Sequence, residues 1–414
     1  MTETKPPADD VDSPRPLQPI AEYHIPPMPT DVATRRLLGW LRRQFKKSAE
    51  AQPYIAESEL VQATGETLED VAPPPGCAPL LRDLDTHFEP FIRGDDTGQR
   101  AHLLLLPPGD RTDVLGSWAK EQRLGVLQPP TRQQLLESPS QLKVQEQELW
   151  PEEQGSEQQT SKERSDSPTV LVIPKLEDWF LRHEKGLGCM RQLLDWLDQS
   201  KRPLIIGCNT WAWDFLCKAT RAGLILPTPQ TFRPFGADEL RVWFHSLEED
   251  APIDWRFRLS TSGIDLFSDD AKKNHYFNGL AAESLGVPWV AWHRWRKSLR
   301  YERQKHDKAK LKAQSASKES DERTLWVATL PALKLPQDHS EQANLVLHAL
   351  LIHGRLTPDE LRAVVPIVGE LRVVSALIQS GFIRRSDSQL QIVTTAYPEI
   401  RRELIAAGFP HPPL

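Results

Sequence analysis

Cysteine is scarce. The 414 residues hold four, Cys77, Cys189, Cys208 and Cys217, with no CxxC spacing among them. That disfavours a disulfide-built scaffold and a cysteine-based metal set, and fits isolated reduced thiols. No apolar run approaches the roughly 18 residues of a membrane-spanning helix; the densest, Leu103–Leu106, is strand-sized. The stretch Met1–Ser13 is polar and carries no signal-type hydrophobic segment, so the expectation is a cytoplasmic protein without a transmembrane segment. GxSxG, HExxH and GxGxxG are all missing, which removes the recognisable hydrolase, metalloprotease and dinucleotide chemistries. The net charge of -6 leaves no global basic excess, so any basic partner surface must be local.

Proline, by contrast, is abundant: 36 residues, about 9% of the chain against a usual ~5%. That excess belongs in tails and linkers. Thirteen tryptophans point to large cores or interfaces. Residues 1–30, rich in Pro, Asp and Thr, read as a disordered tail, and residues 31–79 as a helical extension. Within the extension, residues 31–47 carry six Lys/Arg against one acid, with Leu38, Leu41 and Phe45 on one helical face. Such a helix packs on its own domain, docks on an acidic partner, or rests on an anionic membrane surface.

From His102 the texture changes to short apolar runs alternating with helical periodicity. Strands are expected at His102–Leu106, Leu124–Leu127, Thr169–Ile173, Pro203–Ile206 and Thr231–Phe235, with helices between them. That alternation predicts an α/β fold with a parallel sheet over residues 80–236. Residues 137–167 interrupt it with eight acidic and three basic residues and few apolar ones, a flexible acidic insertion. Residues 237–300 read as mainly helical, and 301–323 as a charged linker. The basic stretch 291–323, eleven Lys/Arg against five acids, opens with Trp292 and Trp295 at a spacing that reads as a buried helix face.

The segment from His102 to Leu115 reads strand, Pro107-Pro108-Gly109 turn, helix, the setting in which backbone amides and a helix N-terminus cradle a polyphosphate. A working loop needs a Lys for the phosphates and a Ser/Thr for magnesium. Aligning Pro107-Pro108-Gly109 with the start of such a loop puts Arg111 at a glycine, Thr112 at the lysine and Asp113 at the Ser/Thr. The strand Val170–Ile173 fits an acid-bearing strand, yet Pro174 stands where the magnesium-directing Asp belongs and Lys175 follows it. Glu177 and Asp178 come slightly later, where strand or helix geometry would point them elsewhere. Asn209, just past another strand, could orient water or phosphate.

With the lid-like helix 281–300, in which Arg294 or Arg296 could reach a phosphate, the run 80–300 resembles the P-loop ATPase domain of AAA+ proteins, including the origin-recognition branch. The resemblance implies a P-loop NTPase-like sheet, a helical lid over 237–300 and a C-terminal winged helix. It marks Pro108, Gly109, Arg111, Thr112, Asp113, Asn209 and Arg296 as nucleotide-facing. No cofactor is demanded by these residues; the resemblance implies ATP, held without productive magnesium. The plainer reading is an ordinary βα unit with a tight turn.

In residues 324–414 the order is three helices, then two strands joined by Ser386–Gln389, then a last helix: the order of a winged helix-turn-helix. Thr357-Pro358-Asp359-Glu360 is a capping box. Residues 341–414 hold seven Arg, no Lys and seven acids, so the basic face of a DNA reader is missing. Arg372, Arg384, Arg385, Arg401 and Arg402 keep DNA open as a second partner behind protein contact or self-association. Together these expectations describe a catalytically degenerate, pseudo-ATPase scaffold. The competing readings are a weakly active or nucleotide-binding ATPase and a DNA-binding regulator.

Overall fold

The computed structural model describes residues 17–29, 54–63, 68, 77–95, 98–110, 112–137, 170–249, 255–268, 275–302, 323–336, 340–366 and 372–414. The basic helix expected over 31–47, the acidic insertion and most of the charged linker lie outside them. Two compact units emerge, one from Pro14–Tyr23, Ala78–Arg233 and Leu333–Leu414, the other from the described parts of His24–Cys77 and Pro234–Ala332.

The first unit is α/β. Its six strands lie in the spatial order Gln18–Pro19, Gln230–Thr231, Ala101–Leu106, Leu204–Asn209, Leu171–Ile173, Gly125–Val126. All neighbours are parallel except the first pair. Leu103 to Leu106, Val172, Ile173 and Leu204 to Ile206 are all buried. Such unbroken apolar runs are what a parallel strand covered on both faces requires. Register sets Leu106 beside Asn209 and Ile173 beside Ile206, so these strands finish near one another. The crevice beyond the carboxyl ends of a parallel sheet is where ligands of α/β proteins bind.

Part of the expected disordered tail is ordered. Leu17 is buried, and Gln18–Pro19 pairs antiparallel with Gln230–Thr231 at the sheet edge. An edge strand tolerates Pro19 because its missing N–H faces away from the ladder.

The same unit carries the C-terminal elements: helix Ser340–His353, strand Arg355–Leu356, helices Pro358–Val364 and Arg372–Gln379, hairpin Ile383–Ser386 and Gln389–Ile392, and helix Tyr397–Ala406. The capping box is formed, with Thr357 and Glu360 each accepting the other's backbone N–H. Asp387 and Ser388 both have positive φ, the backbone of a two-residue hairpin turn. Arg355–Leu356, unmarked by any pattern in the sequence, adds a third strand beside Gln389–Ile392.

In the second unit the segment expected to be mainly helical over 237–300 carries three helices and also two strands. Trp255–Leu259 and Leu299–Glu302 are strands. With Leu60–Gln62 and Arg323–Val327 they form a four-stranded sheet in the order Leu60–Gln62, Leu299–Glu302, Arg323–Val327, Trp255–Leu259. Residues 323–327 therefore belong to this unit and not to the C-terminal elements, and 60–62 is strand within the expected helical extension. The alternation Trp255, Phe257, Leu259, all buried, is a strand pattern; the helices on either side mask it. Helices Ala237–Glu249, Tyr276–Glu283 and Pro288–Ser298 complete the unit. Trp292 and Trp295 are buried, as their spacing predicts, and Phe244 stacks on Trp295 with ring centroids 4.7 Å apart. Among the described residues no helix is long and apolar enough to cross a membrane.

Candidate functional site

The strand ends of the first unit open into a cavity of about 300 Å3. Pro107, Pro108, Gly109 and Asp110 form one wall; Pro174, Lys175, Glu177 and Asp178 form another; Cys208 and Asn209 lie between. The C-terminal elements supply the remaining wall through His353, Arg355, Arg384 and Thr394.

The loop folds around one carboxylate. Asp110 Oδ1 accepts from the Thr112 backbone N–H at 2.9 Å and from its hydroxyl at 2.8 Å, and Oδ2 accepts from Val114 N at 2.9 Å. Val114 opens the helix Val114–Glu121, so Asp110 answers donors that a helix start leaves unpaired. Asp113 takes the left-handed conformation at φ 52° and makes no cap bond of its own. Its carboxylate instead meets Lys175 Nζ at 3.2 Å. Gly109, at φ 90°, needs no Cβ here, and Thr394 packs against it within 3.4 Å of where one would be. Arg111 lies outside the described residues.

Between the sheet strands the fit is made by backbone. A Cβ on Gly207 would collide with the Pro174 carbonyl oxygen and with Leu115. Glycine there lets the segment after Ile173 lie close against the strand that ends at Asn209.

Glu177 is the residue whose place the sequence misjudges. It sits in the short 3-10 turn Leu176–Trp179, which turns its side chain into the cavity instead of away from it. It is 8% exposed, and its Oε2 accepts from Asn209 N at 3.0 Å. Burial, with Asp178 close by, pushes its carboxyl up to about 7. The signal was a compact turn directly after a buried strand, which breaks the alternation that strand or helix geometry would impose. Burial works against the charge of Lys175, but Asp113, Asp110, Glu177 and Asp178 together outweigh it and raise the ammonium above its ordinary value.

Asn209 is 5% exposed and fully engaged. Its Oδ1 accepts from Ala212 N at 2.7 Å, capping helix Thr210–Ala219, and its Nδ2 donates to Ile352 O at 2.9 Å. It therefore ties the sheet to the C-terminal helix, and its amide is committed to that job. Arg132, which sequence reasoning did not single out, donates to Glu177 O at 3.3 Å and pairs with Asp178 at 3.1 Å.

Arg294 and Arg296 belong to the second unit, where each has its own partner. Arg296 lies over the Trp292 ring, 5.2 Å from its centroid, and Arg294 pairs with Glu283 at 2.6 Å. Of the sequence-predicted residues, Pro108, Gly109 and Asn209 thus line one cavity, while Thr112 and Asp113 shape the loop beside it. Among the described residues no group of three or more His, Cys, Asp or Glu gathers as a metal set.

No protein-family model matches this sequence, and no curated protein is significantly similar to it. Solved structures that resemble the chain include Cdc6p from Pyrobaculum aerophilum, at 12% identity over 85% of this chain and 100% of that one, with a TM-score of 0.33. The ORC2 protein of Aeropyrum pernix, in ADPNP–ADP complexes, matches at 10% identity over 86% and 97%, with a TM-score of 0.30. A Walker-type ATPase of Pyrococcus abyssi matches at 12% identity over 74% and 91%, with a TM-score of 0.29. Likeness this distant assigns no residue a role, so the chemistry rests on the side chains themselves.

Proposed function

We propose that this chain is a catalytically degenerate, AAA+-like P-loop protein that works as a regulatory or assembly scaffold through protein contacts, a partner protein or a second copy of itself. The observation that carries the reading is an inversion of charge at the strand ends. A magnesium–triphosphate site needs a cation in the loop and an acid at a nearby strand end. Here the loop contributes Asp113, the end of strand Leu171–Ile173 contributes Pro174 and Lys175, and Lys175 is paired with Asp113. The strand ending at Asn209 lies between those two strands, so the loop and the Pro174–Lys175 segment flank one crevice, and that placement supports the reading.

Magnesium does not fit these residues. Pro174 offers only a backbone carbonyl, already packed against Gly207. Asp178 is paired with Arg132, and Glu177 Oε2 already accepts from Asn209 N. A three-helix and hairpin order of the winged-helix kind occupies the C-terminus. Two of its arginines are engaged inside the fold: Arg384 donates to Gln391, and Arg401 to the carbonyls of Pro412 and Pro413. That favours protein contact over DNA.

One observation favours a second reading, a slow ATPase. Glu177 lines the cavity with a carboxyl tuned close to neutral, where a general base works best. Calorimetric titration of the full chain with ATP, with and without magnesium, combined with ATP and GTP turnover, separates the two. The scaffold reading expects no strengthening by magnesium and no turnover above the uncatalysed background. Binding tightened tenfold or more by magnesium, or turnover that disappears in Glu177→Gln, overturns it.

A further inference from the structure

Helix Ser340–His353 seats the C-terminal elements on the sheet unit, packing against helix Thr210–Ala219 and the turn Leu176–Trp179. Two histidines lie in that seat. His348 Nδ1 is 3.1 Å from Arg182 Nη1, and its ring meets Trp211 and Phe409 at 5.8 and 5.0 Å. His353 is 1% exposed, and its Nε2 accepts from the Arg182 backbone N–H at 3.2 Å.

Both partners of these ring nitrogens can only donate. A guanidinium has no acceptor, and neither has an amide N–H. Each ring must therefore present a lone pair toward Arg182, so each is neutral in this arrangement. Protonation would set N–H against N–H and place imidazolium beside guanidinium.

The surroundings offer no relief. Arg132, on the preceding helix Arg132–Glu137, reaches the His353 carbonyl at 3.5 Å, and Lys218, on helix Thr210–Ala219, adds positive charge beside His348. The nearby carboxylates are already engaged: Asp214 with Lys218, Asp178 with Arg132, and Glu177 with Asn209 N. Glu360 acts on Arg132, while Arg355, the neighbouring cation beyond His353, opposes it. Tyr397, on the last helix, stays protonated, burial pushing its hydroxyl up to about 12.

We propose that His348 and His353 form an acid-sensitive latch that holds the C-terminal elements over the Pro107–Asp110 loop, closed near neutral pH and released as the pH falls into the mildly acidic range. Release frees Asn209 from Ile352 and Gly109 from Thr394, and so uncovers the cavity. The inference does not depend on whether nucleotide binds there.

The direction follows from linkage. Burial, then Arg182, lowers His348 from 6.5 to about 4, and burial, then Arg132, pushes His353 well below its ordinary value. A histidine held neutral on folding leaves closure intact above pH 6.5 and opposes it increasingly below. From His348 alone, the closing constant should fall about 30-fold by pH 5. Glu177 acts in the opposite sense, since its raised carboxyl gains a proton on folding between pH 7 and 4.5.

Hydrogen exchange on the full chain at pH 7.5, 6 and 5, corrected for intrinsic rates, tests the latch. Because Glu177 titrates in both proteins, the histidines are read from the difference between the wild type and a His348→Asn, His353→Gln double variant, whose amide oxygens accept the same N–H groups without titrating. On going from pH 7.5 to 5, Ser340–His353 should lose protection in the wild type relative to the variant by about 30-fold or more, while Trp255–Leu259 in the other unit shows no such difference. If the double variant does not fold, Arg182→Met serves instead, keeping the backbone donor and removing the guanidinium; release should then move to lower pH. The same pH dependence of Ser340–His353 protection in the wild type and the variant used, or a parallel difference in Trp255–Leu259, overturns the proposal.

Discussion

Two helices of the first unit begin in different ways. Helix Pro358–Val364 starts with a local device: Thr357 caps it, Glu360 returns the bond, and proline takes the first turn. Everything needed lies within four residues. Helix Val114–Glu121 starts with its own cap position in a left-handed conformation and no cap bond, and borrows a carboxylate from three residues before that position. The first start closes a helix. The second builds a concave loop around a negative charge and sets it against a cavity. The contrast separates a residue kept for the helix from residues that shape a crevice.

Substitutions can break or sharpen that contrast. The largest effect is expected from Asp110→Ala, which orphans two backbone donors and a hydroxyl in a partly buried loop. The cost should be about 2–3 kcal/mol, read as a drop in the denaturation midpoint of the full chain; a loss no larger than that of an exposed alanine substitution would show that the loop does not depend on this carboxylate. Thr357→Ala should cost about 1 kcal/mol, the worth of an ordinary cap. Equality of these two losses would erase the distinction between the two starts. The smallest effect belongs to Lys175→Met. The pair with Asp113 is about one-third exposed on each side, so solvent screening leaves it under about 1 kcal/mol. Its signature should instead be a further rise in the Glu177 titration, followed by carboxyl NMR, because a neighbouring positive charge is removed.

Much of the framework was readable in the chain. Leu103–Leu106, Val170–Ile173 and Pro203–Ile206 announced buried strands because a parallel strand covered on both faces has only apolar positions to show. Thr357 to Glu360 and the hairpin turn were legible because turns and caps act over a few residues. The sheet of the second unit was not. Its strand Leu60–Gln62 lies more than 200 residues from its partner Leu299–Glu302, and such pairing leaves no local trace. The same limit governed the site. Pro108, Gly109 and Asn209 could be placed from strand ends. Glu177 could not, because its direction is set by a single turn. The ties of Arg132 and Arg182 to His353 span 221 and 171 residues. The engagement of Asn209 with Ile352 likewise depends on a helix that returns from far along the chain.

The bare α-carbon of Gly207 against the Pro174 carbonyl has a consequence for how such a crevice ages. Its dimensions are fixed by main chain, whereas its chemistry is written in side chains, and the two answer to different substitutions. The side chains around it can all be exchanged and the gap still holds open, provided nothing bulkier than hydrogen is ever installed at that one position.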